Sequence, residues 1–165
     1  MSQNHIDLIT HVKALLLAQG QRSSVVDGGE RCRYRLQIED GSTLKCAVGF
    51  LIPNKHYRTS MEYVCADDLA FAYPDLFDKI LGKFKLSTKS DKTLKLLADL
   101  QNIHDHKEVS EWEKYFDLFF CFMIKQEKQD ELPWKSRVIL YSVSPAYIMA
   151  SISYWQLFCR FIMCI

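Results

Sequence analysis

The sequence predicts an α+β fold, a mainly helical domain carrying one antiparallel β-hairpin. Three observations predict it. Residues 31–39 alternate with a period of two, the turn dipeptide Asp40-Gly41 follows them, and most other segments repeat their apolar residues every three or four positions.

The elements follow in order. Ile6, Ile9, Val12, Leu15, Leu16 and Ala18 fall at helical spacing, so an amphipathic helix is expected over residues 5–19, ended by Gly20. Residues 21–30 are polar, contain Gly28-Gly29 and read as a loop. In the next stretch Cys32, Tyr34, Leu36 and Ile38 share one face, and Arg31, Arg33, Arg35 and Gln37 share the other. After Asp40-Gly41, residues 42–48 return as a second strand, which places the hairpin over about 31–49. Pro53 stops the apolar run that ends at Ile52, because it lacks an N–H and biases the residue before it away from helix. A polar loop over 54–63 follows. Helical spacing resumes from Cys65 to Leu86 with a break at Tyr73-Pro74. Ser90 or Asp91 caps a further helix lined by Leu94, Leu97, Leu100 and Ile103. Ser110 and Glu113 form a capping-box pair that opens the next helix, which runs through Trp112, Phe116 and Phe120 to about Glu127.

Length and composition bound the rest. The chain has 165 residues, 48% of them hydrophobic and 25% charged, which fits one globular domain and excludes disorder. We place that domain at residues 1–130 and treat 131–165 as an apolar extension. Lys and Arg total 21 against 20 Asp and Glu, so net charge provides no bulk attraction to nucleic acid or anionic lipid. The six cysteines show neither a CxxC pair nor tight clustering, and they do not read as a disulfide framework. The N-terminus has no basic segment ahead of an apolar one, so no signal peptide is expected and a reducing cytoplasmic setting is the default.

The extension allows three readings. Residues 138–159 are 22 positions without a charge, long enough for a membrane span. Serines and Pro145 dilute the segment, and Ile148, Ile152, Trp155 and Cys159 fall on one side of a helix expected over 146–162. That one-sidedness favours packing on protein over a tail anchor or a poorly matched appendage.

Two runs carry a family resemblance. The first is residues 44–54, Leu-Lys-Cys-Ala-Val-Gly-Phe-Leu-Ile-Pro-Asn, followed by Tyr57 and Met61-Glu62; the second is residues 100–105, Leu-Gln-Asn-Ile-His-Asp, followed by Trp112. Together with Asp27-Gly28-Gly29, Cys32 and Tyr34-Arg35 they resemble a family of small, uncharacterised bacterial and phage-encoded proteins. Tyr63 stands where that family commonly has Gly, and the hairpin turn is longer here. The resemblance spans about residues 5–125. It implies a common fold for that region and no activity.

Four groups of residues are candidates for function. Cys46 is a candidate nucleophile with His104 as its base and Asp105, Asp99 or Glu62 as orienter. The bland alternative, a buried inert thiol and a histidine at a helix C-terminus, is favoured. Cys32, Cys46 and His104, with His56, Cys65 or His106, could supply ligands to zinc, but Cys32 and Cys46 are spaced too loosely for a paired-ligand knuckle. No cofactor or metal is therefore assigned. Arg31, Arg33 and Arg35 share a strand face, and Lys83 and Lys85 belong to a group of six lysines between 79 and 95. These could meet phosphate, yet no nucleic-acid-binding signature accompanies them, and a solvated face explains them as well. Gly28-Gly29 lacks the spacing of a phosphate cradle. Finally, Trp112, Tyr115, Phe116, Phe119, Phe120 and Phe122 are more aromatics than one helix face needs, and an exposed remainder suits a protein partner. The expectation is a small non-enzymatic accessory protein of bacterial or phage type that binds a protein partner. The alternative is a cysteine-dependent enzyme or zinc-binding protein using Cys46 and His104.

Overall fold

The computed structural model describes residues 3–26, 30–62 and 64–130. Backbone proximity divides the chain into two compact units, residues 1–124 and 125–165. The extension from 131 onward, including the expected helix over 146–162 and the candidate span over 138–159, lies outside the described residues. Among the described residues no helix is long and apolar enough to cross a membrane.

The fold is α+β and mainly helical, with antiparallel hairpin pairing. Helix α1 (Gln3–Gln19) buries Leu8, Ile9, Val12 and Leu16. It stops where expected: Gly20 takes φ +62°, and its N–H closes onto Leu16 O at 3.0 Å. Two short ladders follow. Strands β1 (Ser24–Val26) and β2 (Glu30–Cys32) pair in the register Ser24↔Cys32. Strands β3 (Arg35–Gln37) and β4 (Thr43–Lys45) pair in the register Leu36↔Leu44, which is the expected hairpin. Its turn uses Gly41 at φ +83°, and Asp40 Oδ1 accepts from Ser42 N at 2.7 Å.

The structure departs from the sequence expectation at three points here. The stretch 31–39 is not one strand: it breaks at Arg33-Tyr34 and serves two different ladders. The region read as a loop, 21–30, supplies β1 and the start of β2. Residues 47–51 form helix α2 (Ala47–Leu51) and do not extend the second strand. A short apolar run fits a buried strand or a buried helix equally well, and here tertiary partners decide. Cys46 caps α2, its Sγ accepting from Gly49 N at 3.3 Å. Val48 N donates to Gln101 Oε1 at 3.2 Å.

Two 3₁₀ turns, Asn54–His56 and Thr59–Met61, carry the polar stretch after Pro53. Helices α3 (Ala66–Ala72) and α4 (Pro74–Leu81) then meet at Tyr73, with Pro74 in the first turn of α4, as its missing N–H allows. Helix α5 (Asp91–His106) buries Leu96, Leu97, Leu100, Ile103 and His104. Helix α6 (Trp112–Asp130) begins after a 3₁₀ turn at Val109–Glu111, so Ser110 sits inside that turn and not at the cap. Trp112, Phe77 and Phe116 are the largest fully buried side chains of a core that also takes in α1 and α2.

Gly49 is the tightest point of this packing. A Cβ built there would lie 2.0 Å from Tyr34 O and 2.9 Å from Tyr34 C, so α2 can approach the strand break only with glycine at this position. Gly49→Ala is therefore expected to destabilise the domain by roughly 3 kcal/mol, at the upper end of overpacking costs, as read from urea denaturation.

Candidate functional site

The strand break creates a cluster of polar groups in the interior. Tyr34 lies between the two ladders and Arg35 opens the second opposite Lys45, and the N–H groups of both find their acceptor outside the ladders. Glu62 supplies them: Oε2 accepts from Tyr34 N at 2.9 Å and Oε1 from Arg35 N at 3.1 Å. Tyr57 Oη donates to Oε1 at 2.8 Å, completing a buried carboxylate with three donors. The Arg35 side chain turns inward as well. Its Nη2 donates to Ile52 O at 2.6 Å, and its guanidinium lies 4.6 Å from the centre of the Tyr57 ring.

His104 anchors the second half of the cluster. Its Nε2 accepts from Ser23 N at 3.3 Å, and its Nδ1 meets Asp105 Oδ1 at 2.8 Å. Because the Ser23 amide can only donate, Nε2 is the bare nitrogen and Nδ1 carries the proton given to Asp105. The ring stacks on Trp112 with centroids 5.3 Å apart. Gln101 Nε2 donates to the same Asp105 oxygen at 2.6 Å. Gln101, His104 and Asp105 stand at positions i, i+3 and i+4 of α5, so one helix face presents all three. Ser23 ties the ladders together in turn, its Oγ donating to Arg33 O at 2.9 Å. Lys107 O, just past the end of α5, accepts from Trp112 Nε1 at 3.1 Å and from Arg22 Nη2.

These placements reassign the sequence candidates. Cys46 has no exposed surface, and its sulfur accepts from Gly49 N. Burial pushes its thiol well above the ordinary range, the opposite of an activated nucleophile. Both nitrogens of His104 are bonded elsewhere, so the Cys46–His104 pairing is not made. Cys32 and Cys46 do not face each other across one hairpin: Cys32 ends β2, and Cys46 precedes α2. Cys32 is the cysteine brought to His104 and Asp105, with ligating atoms of the three residues within 4.8 Å of one another.

The arginines do not form a common face. Arg33 lies between the two ladders and is half-buried, Arg35 is taken up by Ile52 and Tyr57, and the Arg31 side chain lies outside the description. Lys83 and Lys85 are exposed on the turn after α4, where Lys85 adopts φ 54°, and Lys95 pairs with Asp99 at 2.8 Å. A solvated lysine face fits these placements.

Two concavities stand out. A pocket of about 460 Å³ is lined by Cys32, Cys46, Cys65, Gln101, Asp105 and His106, among others. A groove of about 430 Å³ runs between α5 and α6, bordered by Ile103, Tyr115, Leu118, Phe119 and Phe122, with Lys95 and Asp99 at its edge. Sequence reasoning did not find Ser23, and it named Glu62 as one of three possible orienters of His104 and, beside Met61, in the first run of the family resemblance, not as an acceptor of backbone N–H groups. Gln101 falls in the second run of the family resemblance, which offered the one signal for it. No protein-family model matches the chain, and neither a curated protein nor a solved structure is significantly similar to it.

The buried thiol makes a pH dependence. An unfolded cysteine ionises near pH 9.0, whereas folded Cys46 keeps its proton, so the folded chain holds protons that the unfolded chain releases. Tyr34, buried with its Oη donating to Val64 O at 2.6 Å, acts in the same direction above pH 10.0. Their contribution is complete below pH 9 and is lost as pH rises. In urea titrations, stability is expected to fall from pH 9 upward. Cys46→Ala is expected to delay that fall, at a cost of about 1 kcal/mol at pH 7 for the lost cap.

Proposed function

We propose that the chain is a non-enzymatic accessory protein of bacterial or phage type that acts in the cytoplasm by binding a protein partner through the α5–α6 groove. One observation carries this reading: α6 has two apolar stripes and the described domain buries one. Trp112 and Phe116 go into the core. Tyr115, Leu118, Phe119 and Phe122, at positions i, i+3, i+4 and i+7, line the groove, where Leu118 keeps 48% and Phe122 53% of its surface exposed. A helix with two apolar stripes needs two partners.

The groove lies between two helices and ends in an ion pair, so it fits an amphipathic helix that inserts one or two large apolar side chains. Cytoplasmic placement is supported by the thiols of Cys46 and Cys65, which stand unbridged among the described residues. The non-enzymatic reading rests on the occupied nitrogens of His104 and the buried thiol of Cys46.

A photo-reactive phenylalanine analogue at position 122 tests the proposal inside cells. It is expected to give one discrete heterologous adduct that Leu118→Glu removes, while the same analogue at the exposed position 83 gives none. Adducts only between two copies, only within the chain, or equal from positions 83 and 122 would contradict a dedicated protein partner at this groove.

A further inference from the structure

Cys32, His104 and Asp105 come from distant parts of the sequence, yet their ligating atoms gather within 4.8 Å. A thiol, an imidazole and a carboxylate are the donor set that zinc-class cations take, whereas magnesium and calcium prefer oxygen alone. The surroundings fit a site. Asp105 is held by two donors, Gln101 Nε2 and His104 Nδ1, and both bind Oδ1. Its Oδ2 accepts no hydrogen bond among the described residues. Cys32 and Asp105 are half-buried and line the 460 Å³ pocket, which offers an ion a way in and an outside ligand a coordination position. A second group of donors, Cys65, Asp67 and Asp68, also lies within 4.8 Å, and Cys65 and Asp67 line the same pocket.

We propose that this pocket binds a thiophilic divalent cation of the zinc class through Cys32, His104 and Asp105, with a fourth position open to the pocket. The ion enters where His104 Nδ1 now meets Asp105. The ring proton then moves to Nε2, which releases the long contact from the Ser23 amide. The Cys32 thiol gives up its proton to solvent and binds as thiolate, so one proton leaves per ion. Cys46 stays outside the ligand set as the cap of α2. The site shares no side chain with the partner groove, so the two can be tested separately.

Cobalt titration of the full chain, purified with reductant and stripped by chelator, provides the test. One cobalt per chain is expected, with thiolate-to-cobalt charge-transfer absorption and the visible bands of tetrahedral coordination. Zinc should displace it and raise the melting midpoint. Cys32→Ser should abolish the charge-transfer band, and Asp105→Asn, which removes a ligand, should weaken zinc binding by at least the roughly 10–100-fold that follows loss of a group supporting a ligand. Cys65→Ser should change neither. On the unmutated chain, zinc should protect Cys32 from alkylation and leave Cys65 reactive, a readout that does not depend on how Cys32→Ser folds. Absence of stoichiometric uptake, or a charge-transfer band lost in Cys65→Ser and kept in Cys32→Ser, would overturn the assignment.

Discussion

The architecture depends on what happens to two backbone N–H groups. Tyr34 and Arg35 sit where one alternating segment leaves its first ladder and enters its second, and neither ladder takes their hydrogens. Glu62 does, using both carboxylate oxygens. Buried backbone donors without acceptors cost about 1–3 kcal/mol each, so a domain of this size cannot leave two of them open. The same break turns the Tyr34 carbonyl toward α2, where only glycine leaves room for it. One carboxylate and one glycine thus decide where the strands divide and where the next helix lies.

The remaining polar interior follows from that division. Because β1 is detached from β3, the amide of Ser23 is free to reach His104, and β2 delivers Cys32 to the same place. Helix α5 then works on two sides. Gln101, His104 and Asp105 face the ladders and α2, while Lys95, Asp99 and Ile103 border the groove shared with α6. The polar side consists of hydrogen bonds with defined donors and acceptors, and the groove side is apolar and open. Two surfaces of opposite character therefore share one helix and no side chain.

What the sequence made legible was what local rules govern. The end of α1 at Gly20, the turn at Asp40-Gly41, the break at Tyr73-Pro74 and the start of α5 beside Ser90 each need only neighbours in the chain. The alternation of residues 31–39 put Tyr34 on one face with Cys32, Leu36 and Ile38, and of these Tyr34 is the one buried, but side-chain periodicity carries no information on which backbone receives each hydrogen bond. Finding the break required Glu62, and finding the helix at 47–51 required Gly49 against Tyr34; both are contacts across the fold. The candidate site was legible in its parts and not in its grouping. Cys32, Cys46, His104 and Asp105 were all visible, yet the partner of His104 among the cysteines depends on how two short ladders diverge. The surplus of aromatics on α6 was readable from spacing alone, because helical periodicity places both stripes.

Replacing Glu62 by alanine tests the central claim most directly. With Tyr57 Oη included, the substitution leaves one buried and two partly buried donors without their acceptor, and equilibrium urea unfolding is expected to show a loss of about 3 kcal/mol or a chain that no longer folds. Glutamine at this position should fall between the two, since its amide oxygen can still accept and its NH₂ cannot. A Glu62→Ala variant within about 0.5 kcal/mol of the unmutated chain, the scatter of an ordinary surface substitution, would contradict the account.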